Sequence, residues 1–458
     1  MKMKQERESY LLLEEPRMYR AFMTLAYPVV LANLLKSLHD LVDTYFIGQM
    51  ENSVAAQAGI SVTWPLLNIL LSFGMGLSIA GVAIVSQYLG SGQKERARAS
   101  GGLLLVLSTL IGLGVNLLVF VLAPGVLTLM GAKGGTYDAG LTYLRVRSFE
   151  MVFLLVFSAF QAIFQARGDT STPVKLSVFS VAVNICLTAW FVRGLNWGIF
   201  GASLATLLGQ AAAVPPCLWL LFRQKGDLYL RRQDLRIVKE DLRVMVRLAL
   251  PSAASQAFSS LGFLVLQAVI LHFGDAIAAA FSIGNKVSNL LLIPVSALSS
   301  ILAAFVGQNV GAGNKERARR AYCTSRNIGI IFSILGAGVI FFFRRPLLSL
   351  LTNDGETLGY AMEYAVWVLL TQPLMALFQN YLGVFNGSGN TRYAFIVVSA
   401  RLWLIRLPMI LGFYLFTDLK QQGIWYAMVI SNLLISVICA LLFRRVDFEP
   451  KVRRAAEA

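Results

Sequence analysis

The 458-residue chain is short of almost everything that enzyme chemistry and soluble surfaces are built from. Only 14% of its residues are charged, against about 25% in an average soluble domain. It has two histidines, His39 and His272, and four cysteines, Cys186, Cys217, Cys323 and Cys439, spread far apart and never as C-x-x-C. That sparsity excludes a histidine-rich metal cluster, a zinc ribbon and a disulfide framework. No G-x-x-x-x-G-K-[ST] loop is present, so the run KERAR that follows Gly-x-Gly twice is not a nucleotide-binding loop. An embedded enzyme would also need acids, histidines or a phosphate-binding loop clustered on one face, and the longest inner linker (223–245) is basic with no such cluster. No cofactor is expected.

What the chain has instead is apolar length. Fifty-seven per cent of its residues come from the AVILMFWYC set. Residues 52–93, 99–132, 194–222, 248–274, 287–314, 364–391 and 421–443 each lack Asp, Glu, Lys and Arg. A helix needs about 20 such residues to cross the ~30 Å hydrocarbon core. Strong alternation with period two is missing, which argues against a membrane β-barrel. The expectation is an all-α polytopic membrane protein with 12 transmembrane helices.

The formal charge of +16 would suggest nucleic acid in a soluble chain, but its distribution points elsewhere. With both termini on the cytoplasmic side, the inner segments collect 29 of the 40 basic residues and the outer loops seven. By the positive-inside rule this fixes the orientation and makes the charge topological. No nucleic-acid partner is expected. The first apolar run begins near Ala21 after a mixed-charge tail and without a small-residue cleavage site, so it reads as a retained span of a cell (inner) membrane protein.

The strongest single pattern is internal. VSQYLGSGQKERAR (85–98) and VGQNVGAGNKERAR (306–319) agree at nine of fourteen positions, at an offset of 221. The same offset relates Gly168 and Thr170 of RGDTSTP to Gly389 and Thr391 of GSGNTRY, and LAYP ending at Pro28 recurs as LALP ending at Pro251. Both basic loops belong on one side, so the halves are parallel repeats about an axis along the membrane normal. The resulting division is a tail (1–20), a first six-helix lobe (21–222), a basic linker (223–245), a second lobe (246–443) and a second tail (444–458).

A charge at bilayer depth costs at least about 2.5–3.5 kcal/mol and should have a partner or a task. The first span holds Lys36, His39, Asp40 and Asp43. Lys36 and Asp40, four apart, can neutralise one another on one face, with a gating role as the alternative. Asp43 has no base one turn ahead and is the better exchangeable carboxylate. His39 titrates near neutrality in water but reads here as a hydrogen-bonded packing residue. Glu150 lies three residues after Arg147 near the outer end of span four, where an interfacial pair is expected. Arg401 and Arg406 on span eleven read as structural, partnered by carbonyls near Pro408 or by polar groups of span ten. Pro28 removes a backbone hydrogen bond within the first span and marks either a hinge or a static kink.

Taken in order, VDTYFIG (Val42–Gly48), QYLGSGQKERA, QARGDTSTP, NICLT (Asn184–Thr188), GASLAT (Gly201–Thr206) and VGQNVGAGNKERA resemble the multidrug and toxic compound extrusion (MATE) transporters over nearly the whole chain. The resemblance implies two six-helix lobes that rock as a monomer in membrane lipid. It also implies export of small drug-like, amphipathic, often cationic compounds in exchange for H⁺ or Na⁺. Asp43 matches an aspartate that binds the coupling ion in one branch of the family, and Asn184 and Thr206 match further ligands. Thr188 stands where that branch has a second aspartate, so one carboxylate is lost. Protons are favoured over sodium, and Glu150 is a possible replacement. Asn33, Trp64, Asn68, Gln256 and Gln267 are expected on the drug-binding wall. A lipid- or polysaccharide-precursor flippase of a related family is the alternative reading.

Overall fold

A computed structural model of the chain describes residues 10–48, 50, 53–223, 229–352 and 354–452. Inside its helices, the side chains at 40, 41, 44, 53–55, 62, 64 and 65 lie outside the described set. Asp40 and Trp64 are among them, so the expected pairing of Lys36 with Asp40 and the wall position of Trp64 fall outside the described residues.

Among the described residues, twelve helices are long and apolar enough to cross a membrane. They are α1 (Met18–Gly48), α2 (Ser53–Gly90), α3 (Lys94–Leu129), α4 (Gly134–Ala166), α5 (Ser171–Gly194) and α6 (Gly198–Arg223) in the first half. The second half has α7 (Lys239–Leu271), α8 (Asp275–Gly311), α9 (Lys315–Ser349), α10 (Gly355–Gly387), α11 (Thr391–Phe416) and α12 (Gln421–Arg444). Helices are what this composition demands, because in hydrocarbon every backbone N–H and C=O must bond within its own segment. Several run past the apolar stretch that announces them. α7 starts at Lys239, seven residues before Val246, because Glu240 and Asp241 in its first turn favour a helix N-terminus.

Two helices carry a π-helical turn, α5 at Ala189–Gly194 and α11 at Ala400–Arg406. The widened turn of α11 sets Arg401 and Arg406 one π-turn apart.

The repeat is visible in the connections. Gly92 and Gly313, 221 apart, turn the chain with φ of 75° and 77°, and Gly168 and Gly389 do so with 91° and 75°. A side chain at these angles is strained, which is why glycine recurs in both halves.

The halves meet on the face that carries both termini. Gln87 Nε2 (α2) donates to the carbonyl of Gly387 at the end of α10 (3.1 Å), and Gln308 Nε2 (α8) donates to the carbonyl of Ala166 at the end of α4 (2.7 Å). Donors and acceptors are related by the offset of 221, so these two bonds form a symmetric clasp across the seam. A Cβ on Gly90 would collide with the Gln308 carbonyl, and one on Gly311 with that of Gln87. Gln165 Nε2 adds a bond to the Ser300 carbonyl (2.7 Å), and Phe22 stacks on Phe305 with ring centroids 4.5 Å apart.

The cores cross over at this end. Ala21, Phe22, Leu25 and Ala26 of α1 belong to the apolar cluster of the second half, while Val244, Met245 and Leu248 of α7 belong to that of the first. Behind α12, Val446 and Phe448 pack into the second-half cluster and Val452 into the first, so the last described segment bridges the seam.

Candidate functional site

A cavity of about 650 Å³ lies in the first half, walled by α1, α2, α4, α5 and α6. It runs from Gln165 and Thr170 near the clasped face to Ile47 and Ile60 near the opposite one. Most of the wall is apolar, including Val29, Leu71, Leu154 and Phe157. Five ionisable side chains stand out on it: Lys36, His39, Asp43, Arg147 and Glu150.

His39 is at the centre. Its Nε2 lies 2.7 Å from Asn184 Oδ1 and 3.5 Å from Asp43 Oδ2. Asn184 Nδ2 in turn donates to Thr206 Oγ1 (3.2 Å), whose hydroxyl donates to the carbonyl of Ala202 (3.0 Å). A carbonyl only accepts, so the chain of donors has a fixed direction. The Thr206 hydroxyl must give to Ala202, the Asn184 amide must give to Thr206, and Asn184 Oδ1 is left to accept from His39. Nε2 therefore carries a hydrogen, and Nδ1 is the nitrogen that gains a proton when the ring becomes cationic.

The i, i+4 spacing of His39 and Asp43 puts both on one face of α1, as the sequence implies. The sequence reads His39 as a hydrogen-bonded packing residue; the hydrogen bond is present, and what α1 alone does not name is its partner Asn184, 145 residues away.

Glu150 and Arg147 do pair, at 2.7 Å, but not at an interface with solvent. Glu150 is 2% exposed, and the charges of Lys36, His39 and Asp43 act on it from across the cavity. Arg147 also lies over the Tyr143 ring, 5.5 Å from its centroid. The first-half cavity thus has two described carboxylates, Asp43 and Glu150.

Thr188 is the expectation that the structure corrects. It is fully buried and absent from the cavity wall, and its hydroxyl has no partner among the described residues. Of the polar residues expected on the drug wall, Asn33 lines this cavity and Asn68, Gln256 and Gln267 do not. Gln267 faces outward on α7 and is exposed. Pro28 sits inside an unbroken α1, one residue before the lining residue Val29.

The second half carries its ionisable groups differently. Arg406, 4% exposed, donates from Nε to Ser431 Oγ (3.0 Å) and from Nη2 to Asn432 Oδ1 (2.7 Å), both on α12. Arg401, 6% exposed, lies 4.5 Å over the Phe378 ring centroid, with Nη1 3.2 Å from Met375 Sδ. The partners are the polar face of α12 and an aromatic of α10, not carbonyls near Pro408. Neighbouring polar groups are spent on each other, as in Gln372 with Ser288 (2.7 Å) and Ser325 with Asn380 (2.5 Å).

The profile of one transporter family, MatE, matches residues 28–190 and again 251–411, one match per half. The chain belongs to the MatE family. It is an integral membrane transporter of the multidrug efflux kind, a group whose members are not enzymes and handle drug-like compounds. Among curated relatives, the probable multidrug resistance protein YoeA of Bacillus subtilis is 25% identical, with 92% of this chain and 93% of that protein aligned. A protein of Shewanella oneidensis described as an FAD transporter is also 25% identical, over 93% of this chain and 94% of its own. The crystal structure of a MATE in complex with MaL6 superposes with a TM-score of 0.90 at 21% identity, covering 98% of this MatE chain and 99% of that one. The fold is therefore that of solved MATE transporters.

Proposed function

We propose that this MatE protein exports amphipathic cations in exchange for protons through the first-half cavity, with Asp43, His39 and Glu150 as the groups whose charge changes. The observation that carries the reading is the charge balance of the described wall. With His39 neutral, the carboxylates of Asp43 and Glu150 offset the permanent charges of Lys36 and Arg147. One added proton, at Asp43 or at Nδ1 of His39, leaves the cavity with a net positive charge. A cationic compound and that proton then repel one another in a poorly screened space. Two ligands that exclude each other at one site, each biasing the lobes towards opposite openings, give exchange without direct contact.

The occupied oxygens favour protons over sodium. A sodium site needs several free oxygen ligands. Here Asn184 Oδ1 already accepts from His39, and the Thr206 hydroxyl is engaged on both sides. In this reading the clasped face is cytoplasmic, as the basic residues imply, the protein is a monomer of the cell membrane, and substrate leaves by the opposite face. Pro28 is the point where α1 bends when the cavity changes charge.

Efflux of a fluorescent lipophilic cation from proteoliposomes is expected to follow an imposed pH gradient in sodium-free buffer. Transport that stays absent until sodium is added, and ignores a pH gradient, would overturn the proton reading.

A further inference from the structure

A second cavity, of about 340 Å³, opens on the face that carries the termini. Its lining includes Arg247 of α7, the turn Gly389–Tyr393 that starts α11, and Lys451 of the segment after α12. Neither Arg247 nor Arg392 has an acidic partner among the described residues, and Lys451 is paired with Asp447 (2.6 Å). The transport mechanism uses none of them.

The internal repeat shows what this place lacks. The corresponding turn of the first half is Gly168–Thr172, where Asp169, 3% exposed, caps the start of α5. Its Oδ1 accepts from the backbone N–H of Thr172 (3.0 Å), and its Oδ2 accepts from the Thr172 hydroxyl (2.6 Å) and from Arg167 Nη2 (3.1 Å). At the offset of 221, the residue in that position is Asn390. Its side chain makes no capping bond to the start of α11 and donates instead to Ser388 Oγ (2.9 Å), while its backbone carbonyl accepts from the N–H of Tyr393 (2.9 Å).

The next residue repeats the contrast. The Thr170 hydroxyl donates to the Leu25 carbonyl (2.9 Å), whereas Thr391, 1% exposed and on the cavity wall, finds no partner for its hydroxyl among the described residues. One half fills the seat with its own carboxylate. The other keeps the positive end of the helix dipole, an unbonded Thr391 hydroxyl and added cations, and leaves the negative charge out.

We propose that this cavity binds a phosphate group, held by Arg247, Arg392, Lys451, the Thr391 hydroxyl and the first N–H groups of α11. A guanidinium fork suits tetrahedral oxyanions, and phosphate supplies more charge than the single carboxylate it replaces. The group can belong to an anionic lipid head or to a free phosphorylated solute, since the cavity lies at the end of the spans where both are present. The site straddles the seam: the part of α7 next to Arg247 packs with the first half, and the backbone N–H of Lys451 donates to Gln87 Oε1 (3.0 Å) beside the clasp. Bound phosphate therefore favours the conformation closed on this face.

The test uses the purified full chain, with thermal unfolding as readout. Inorganic phosphate is titrated against chloride at matched ionic strength in a neutral detergent. In parallel, nanodiscs of phosphatidylglycerol are compared with nanodiscs of phosphatidylcholine. A rise in the unfolding midpoint in either arm supports the site, and the arm that responds identifies the source. Arg247→Gln with Arg392→Gln should weaken the response at least tenfold in concentration. Asn390→Asp, which installs the carboxylate of the first half, should raise the midpoint by itself and abolish the response. No response to either probe, or an undiminished one in both variants, would overturn the proposal.

Discussion

The two halves share one scaffold and treat charge in opposite ways. In the first, Asn184 of α5 bonds Thr206 of α6, and this pair anchors His39 and Asp43 beside an open cavity. In the second, Arg406 of α11 bonds Ser431 and Asn432 of α12, and the guanidinium is enclosed by neutral partners. In the proposed mechanism one helix pair holds the groups that change charge, and its mate holds a cation that keeps its proton in normal conditions. On that reading duplication supplied the frame, and divergence at a few polar positions divided labour between a working half and a supporting half.

The sharpest attempt to break this division is Asp43→Asn. Gradient-driven efflux should fall to background while the protein stays folded, measured in proteoliposomes alongside a folding control. Near-normal coupled efflux would remove Asp43 from the mechanism.

Next in size is Glu150→Gln, which leaves Arg147 in the cavity wall without its carboxylate. A loss of about 3 kcal/mol of stability is expected, because an orphaned buried charge is costly, and Arg147→Gln in the same molecule should restore much of it. Equal stability of single and double variants would mean that the pair is solvated.

Arg406→Gln probes the supporting half. It removes charged donors from Ser431 and Asn432 and should cost about 2 kcal/mol, with coupling to the pH gradient intact. If coupling disappears as it does for Asp43→Asn, the comparison between halves fails.

The smallest effect concerns the loop before α10. Asp354 caps that helix, its Oδ2 accepting from the backbone N–H of Thr357 (2.8 Å), and hydrogen bonds from Thr357 hold its carboxyl below the usual range. A carboxyl lowered in the folded state stabilises above its unfolded pKa of about 3.9, and that benefit is lost as pH falls through the folded value. The unfolding midpoints of the parent and of Asp354→Ala should therefore differ slightly at pH 6 and converge near pH 3. A gap that is constant with pH would assign the effect to something other than the carboxylate.

The helices, their number and the twofold repeat were legible because bilayer thickness and backbone satisfaction leave few ways to place long uncharged runs. That Asp43 would sit in a polar setting was legible for a similar reason, since a charge at that depth is costly, and it does stand on the cavity wall beside His39. The buried setting of Glu150 was not, since position along a helix gives depth but not what covers it. Nor was the burial of Thr188, which shares the helical spacing of Asn184 but is absent from the cavity wall that Asn184 lines. His39 needed a partner on another helix, and spacing within one element carries no information about that.

The glutamine clasp couples mechanics to hydration. Each half completes the exposed helix end of the other, so neither Gly387 nor Ala166 can keep its carbonyl bonded once the seam parts on that face. Two acceptors and two amide donors are released in the same step, and water is the replacement at hand. Unlocking and wetting of that seam are consequently one event, and solvent availability at the membrane surface becomes a participant in the transport cycle.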